Sequence, residues 1–266
     1  METFEVKKMK TNPMNNKIEI SAKNIIAVAS GKGGVGKSTV SVNLALALVS
    51  KGKKVGVLDA DIYGPNVPLM LGIRGEKATS DGSKIIPIKK HGLEIMSVGF
   101  ITEENKALIW RGPLANKLIE QFLGDVAWGE LDYLIIDLPP GTGDVPLSII
   151  QKLNLTGAVI VTTPQEAAIA DVVKMINMFE TTNNKILGIV ENMKYITCPD
   201  SQTKIELFPR SDDNDFSGFK YETISTFPFI PGIGNKDKNG IPFYLRNREH
   251  ETSKEYDNLA KKVMAV

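Results

Sequence analysis

Ile25-Ile26-Ala27-Val28-Ala29-Ser30-Gly31-Lys32-Gly33-Gly34-Val35-Gly36-Lys37-Ser38-Thr39 is a continuous apolar run followed by a loop that completes G-x-x-x-x-G-K-[ST]. A strand that ends in glycines can turn sharply and point successive backbone N–H groups inward at the start of the next helix, which makes a concave anion site. In this pattern Lys37 supplies a cation for the β- and γ-phosphate oxygens, and the Ser38 hydroxyl is placed to complete the coordination of Mg²⁺. Behind the loop, Val42, Leu44, Ala45, Leu46, Leu48 and Val49 run without a proline break, as a helix packed on a sheet requires. The expected ligand is a nucleoside triphosphate, gripped by Gly31 through Thr39.

The same glycines allow a rival. Gly31, Gly33 and Gly36 fit G-x-G-x-x-G, and Asp59 lies near the end of the next apolar strand, where a dinucleotide ribose would want a carboxylate. The Lys37-Ser38 pair is what a dinucleotide site does not need. A third element decides: Tyr133-Leu134-Ile135-Ile136-Asp137, then Leu138-Pro139-Pro140-Gly141-Thr142-Gly143-Asp144. An aspartate at the tip of a buried strand followed by a Gly/Pro loop is how phosphate-loop proteins hold Mg²⁺ and sense the γ-phosphate.

Bulk properties bound the rest. The 266 residues are 42% hydrophobic and carry a net charge of +1, so composition makes no global case for a nucleic-acid or anionic-membrane partner. The one cysteine, Cys198, excludes an intramolecular disulfide and suits a reducing compartment. Met1 to Lys23 is polar and Lys-rich, and no stretch approaches the ~18 apolar residues of a membrane span. The expectation is a cytoplasmic protein with a flexible segment over 1–23 and a single domain over 24–266.

Apolar strand candidates at 25–30, 54–59, 132–137, 157–163 and 186–191 alternate with helical stretches near 37–50, 113–124, 145–152 and 165–180. That alternation predicts a mainly parallel sheet flanked by helices, with Asp59, Asp61, Asp137 and the glycine loop gathered at the C-terminal strand tips. Lys84 to Val98 reads as a hairpin or edge pair turning at His91-Gly92, and no internal repeat is present. Periodicity fades over 200–226, where the polar run Arg210 to Asp215 reads as a mobile loop. At the C-terminus, Tyr256, Leu259, Ala260, Val263 and Met264 share one helical face. A membrane-surface helix is the alternative to one packed on the sheet, but few basic residues and no Trp or Phe adjoin the stripe.

The pattern K-G-G-x-G-K-[ST] resembles the deviant Walker A of the MinD, ParA and Mrp group of ATPases. Within that group, Asp59 through Pro68, Trp110-Arg111-Gly112-Pro113, Trp128 through Tyr133, Asp137 through Asp144 and Thr162-Thr163-Pro164-Gln165-Glu166 resemble the Mrp/ApbC family. The resemblance implies a three-layer P-loop NTPase fold and a homodimeric ATPase that acts as scaffold or carrier in iron–sulfur cluster assembly, with apo iron–sulfur proteins as clients. It implies that Lys32 reaches a phosphate in the partner subunit, that Asp61 orients the attacking water, that Asp137 supports Mg²⁺ through its water shell, and that Asn192 reads adenine. Without the resemblance, Lys32 would be a solvated lysine, Asp59 a turn cap, and Asn192 a partner for loop backbone groups.

One departure stands out. Family members that carry a cluster have Cys-Pro-x-Cys, which gives a dimer four thiolates for a bridging [4Fe–4S] cluster; here the stretch is Cys198-Pro199-Asp200-Ser201. A dimer then offers two thiolates, and oxygen from Asp200 or Ser201 matches iron poorly. A cluster would be held with help from another thiol, or the carrier role is lost. The rival function is a cluster-free nucleotide switch that positions a partner protein, like MinD or ParA. A nucleic-acid-binding partition ATPase would need a basic patch that the sequence does not announce.

Overall fold

The apolar run at Ile25 forms β1 (Ala22–Ala29), whose last five residues are buried. The computed structural model describes residues 17–101, 112–208, 220–235, 237 and 240–266, and the backbone alone for 112–116. The loop after β1 leads into α1 (Lys37–Ser50), then β2 (Val55–Asp59) and the short α2 (Val67–Met70). Short strands β3 (Thr79–Ser80), β4 (Ile85–Ile86) and β5 (Ile88–Lys90) precede β6 (Leu93–Ser97) and α3 (Gly112–Gly124). Next come β7 (Leu131–Asp137), α4 (Asp144–Lys152), β8 (Gly157–Thr162), α5 (Glu166–Thr181) and β9 (Ile186–Glu191). The chain ends with β10 (Tyr195–Thr197), β11 (Lys204–Glu206), β12 (Thr223–Thr226), α6 (Phe243–Arg246) and α7 (Glu251–Met264).

Eight strands make one sheet in the order β12-β9-β8-β1-β7-β2-β6-β5, parallel throughout except for β5. Both faces are covered, so the central strands read as unbroken apolar runs rather than alternating ones. The register sets Asp59 beside Asp137 and also beside Ser97, so three polar residues stand in one row at the C-terminal edge. Helix α1 is buried nearly all round, with Val40, Val42, Leu44, Ala45, Leu46, Ala47 and Leu48 at 0–1% exposure. It lies between the sheet and α7, which accounts for an apolar surface wider than one stripe. Tyr256, Leu259, Ala260 and Val263 face inward from α7, so its apolar stripe is spent on packing.

Three sequence expectations are refined. The segment at Lys84 to Val98 does turn at His91-Gly92, but β6 also pairs in parallel with β2 and belongs to the main sheet. The stretch 200–226 contains β11 and β12, of which β12 forms a sheet edge beside β9. Thr223-Ile224-Ser225-Thr226 has too little apolar character to announce a strand, and the neighbour supplies the order. Packing also begins before residue 24, since Ile18 N–H donates to Lys152 O at 2.7 Å. Residues 1–16, Trp110-Arg111 and the run Arg210 to Asp215 lie outside the described residues.

Candidate active site

The glycine loop turns at Gly36, whose φ of 85° is a conformation that side chains disfavour. Space forbids one as well: a Cβ there would fall 2.2 Å from Asn192 Nδ2. Asn192 follows β9, is buried, and donates through Nδ2 to Val35 O at 2.9 Å, while its N–H donates to Thr162 O at 2.8 Å. Its amide nitrogen therefore props the loop from beneath.

Lys37 and Asp137 meet in the centre. Lys37 Nζ donates to Asp137 Oδ1 at 2.8 Å, Ser38 Oγ donates to Asp137 Oδ2 at 2.6 Å, and Ser41 Oγ lies 2.8 Å from Oδ1. Asp61 Oδ2 stands 4.0 Å from Lys37 Nζ, and Asp61 Oδ1 accepts from the N–H groups of Tyr63 and Gly64. Asp59 is fully buried and accepts from Asp61 N–H, Val67 N–H and Ser97 Oγ, which fixes the start of the loop that bears Asp61. Asp59 is thus more than a turn cap.

The charges do not balance. Asp61 and Asp137 both face Lys37, and Asp59 feels its charge without pairing with it. Burial first, and the Asp137 charge second, push Asp59 up to about 8, against the pull of Lys37. Burial likewise raises Asp61, with Lys37 opposing. Asp61 and Asp137 set two carboxylates against the one ammonium of Lys37 beside a serine hydroxyl, a hard-oxygen setting that suits a divalent cation such as Mg²⁺. Among the described residues no three His, Cys, Asp or Glu side chains form a ready cage, so such an ion would need ligands from a phosphate and water.

Above these groups lies an open cavity of about 330 Å³ lined by Gly33, Gly34, Gly36, Lys37, Ser38, Thr39, Asp61, Asn66, Leu69, Met70, Pro140, Met193, Gly234 and Asn235, with Ser30 at its base. Lys32 does not line it: its Nζ donates to Gln165 Oε1 at 2.6 Å, at the start of α5.

Residues 21–264 match the family model described as ParA, the NUBPL iron-transfer P-loop NTPases. The chain belongs to this family. Proteins named iron–sulfur cluster carrier protein are similar to it: 45% identity in Aquifex aeolicus, over 92% of this chain and 68% of the relative. In Saccharolobus solfataricus the identity is 44%, over 94% and 87%, and in Escherichia coli K12 it is 43%, over 98% and 70%. The chain thus spans about two thirds of the length of the two bacterial relatives. Among solved structures, a nucleotide-binding protein from Archaeoglobus fulgidus in complex with ADP superposes with a TM-score of 0.68 at 39% identity, over 90% of this chain and 88% of that one. The cell division ATPase MinD of Pyrococcus furiosus shares the fold, with a TM-score of 0.66 at 22% identity over 91% and 99%.

As in the sequence reading, this P-loop NTPase brings Lys37, Ser38, Asp61 and Asp137 together. Cys198 does not line the cavity above them and lies in the turn between β10 and β11. There Cys198 N–H donates to Thr203 O and Gln202 N–H donates to Cys198 O. The Ser201 hydroxyl first, then the backbone N–H groups of Ser201 and Asp200, hold the half-exposed thiol below its ordinary range. Met193, Gly234 and Asn235 were not legible as cavity residues, because a short loop after β9 and another beyond β12 meet only once the sheet is assembled. The one signal in the sequence was that Met193 directly follows the expected site residue Asn192; its backbone takes a φ of 56° there.

Proposed function

We propose that this family member is a Mg²⁺-dependent ATPase that works as a homodimer and delivers iron–sulfur clusters to client proteins in the cytoplasm. The observation that carries the nucleotide half is Lys37 and Ser38 converging on buried Asp137 under an open cavity. Lys37 leaves Asp137 for the β- and γ-phosphates, and the loop N–H groups at Gly33 through Thr39 cradle the phosphate chain. Ser38 would hold Mg²⁺ directly and Asp137 through water, and the ion would neutralise phosphate charge when bound. Asp61 orients the attacking water, and Asp59 holds Asp61 in place through its backbone N–H. Met193, Gly234 and Asn235 wall the nucleoside, and Asn192, buried directly before Met193, is the residue that the family resemblance gives to adenine. Lys32 leaves Gln165 to meet the phosphates of the partner subunit, which makes turnover depend on dimerisation.

The cargo half rests on the family and on Cys198. Each chain supplies one thiolate, so a dimer contributes two of the four ligands of a cubane cluster, and thiols of another molecule complete the set. The same single cysteine favours the second reading, a cluster-free switch of the MinD kind. Anaerobic reconstitution with iron and sulfide separates them, using wild type, Cys198→Ala, and Ser201→Cys, which completes Cys-Pro-x-Cys. Iron and charge-transfer absorbance that depend on Cys198 support the carrier. Loading of Ser201→Cys alone moves the assignment to the switch.

A further inference from the structure

We propose that His91 is a positioning residue whose Nε2–H ties together two segments that line the nucleotide cavity, an inference that rests on the nucleotide reading above. The imidazole Nε2 lies 3.2 Å from Leu71 O and 3.2 Å from Gly240 O. Both partners are carbonyl oxygens and only accept, so the ring proton sits on Nε2 and is shared between them.

The two carbonyls belong to two separate segments of the chain that each contribute residues to the cavity lining. Leu71 closes α2, and Leu69 and Met70 just before it line the cavity. Gly240 N–H donates to Asp237 O, and Gly234 and Asn235, a few residues earlier in the chain, line the cavity. Gly72 and Gly240 touch backbone to backbone: a Cβ on Gly72 would fall 2.7 Å from Gly240 O. The join is therefore tight, and the His91 side chain bonds both parts of it.

The ring and the turn are separable. His91 and Gly92 are the two turn residues between β5 and β6, with φ of 51° and 78°. A two-residue turn with both φ values positive favours Asn-Gly. Asparagine is the commoner first residue of such a turn, and histidine tolerates the same conformation, so the turn does not require an imidazole at 91 and the two bonds of Nε2 are an additional property of this residue. Segments held together in the empty protein need not be ordered when ligand arrives, and affinity gains by that preorganisation.

His91→Asn tests this without harming the turn, since asparagine is the better turn residue and its amide is too short to reach where Nε2 stands. His91→Gln places an amide N–H near the Nε2 position. In His91→Asn the thermal midpoint without nucleotide should hold or rise, the Kd for ATP should weaken about tenfold, and kcat at saturating ATP should stay within about twofold. His91→Gln should recover the Kd to within about threefold. Wild-type affinity in His91→Asn, or His91→Gln binding as weakly as His91→Asn, would overturn the inference alone. Wild type and Lys37→Ala that titrate alike with ATP would overturn the nucleotide reading, and the inference with it.

Discussion

Lys37 and Asp137, one hundred residues apart in the chain, meet at 2.8 Å in a buried site, whereas the Cys198 backbone is held by partners no more than five residues away. Asp59, Asp137 and Ser97 are fully buried at adjacent strand tips; β11, beside Cys198, is exposed along its whole length. The first region is a product of the whole fold, and each polar group there is a partner that another needs. The second is a local turn that can exchange a residue without consequence for the core. A serine at position 201 is tolerable for that reason, and the same substitution at Asp137 would not be.

Lys37→Ala should break the buried region most severely. It removes the ammonium that faces Asp61 and Asp137 and the cation that meets the phosphates, so ATP affinity should fall by about 10³-fold. Isothermal titration gives the affinity, and alkylation of Cys198 should proceed at the wild-type rate because the hairpin shares no bond with Lys37. A variant that keeps normal ATP binding would sink the phosphate-loop assignment. Lys32→Ala sharpens the picture within that region. Its ammonium is spent on Gln165 rather than on the cavity, so ATP affinity should stay within about threefold while turnover falls about 10²-fold or more. Unchanged phosphate release would argue against a lysine acting on the partner subunit.

The same contrast explains what could be read in the sequence. Five buried strands and the loop after β1 were legible because a parallel strand covered on both faces leaves an apolar run that ends in its functional residue, as Leu134-Ile135-Ile136-Asp137 does. Asp59 was legible in place and not in role, since its partners Val67 N–H and Ser97 Oγ arrive from separate elements. The strand at Thr223–Thr226, the contacts of His91, and the cavity residues Met193, Gly234 and Asn235 carry no pattern of their own. Their positions follow from neighbours that assemble only in three dimensions, where local propensity has little say.

The smallest expected effect concerns the hairpin alone. The Ser201 hydroxyl is the first of the groups that hold the Cys198 thiol below its ordinary range, and the N–H groups of Ser201 and Asp200 follow. Ser201→Ala deletes the hydroxyl and keeps both N–H groups, so the thiol should rise part of the way towards that range. The thiolate is the reactive form, so its fraction at a given pH falls and the alkylation profile with iodoacetamide moves to higher pH. The Ser201 hydroxyl has one proton and also lies 2.9 Å from Thr203 Oγ1, and this competition keeps the shift modest. An unmoved profile would assign the lowered thiol to the backbone alone. ATP affinity and turnover should not change in this variant, because no hydrogen bond of the hairpin turn reaches Lys37, Ser38 or Asp137; a coupled change would show that the two regions are less separate than their bonding implies.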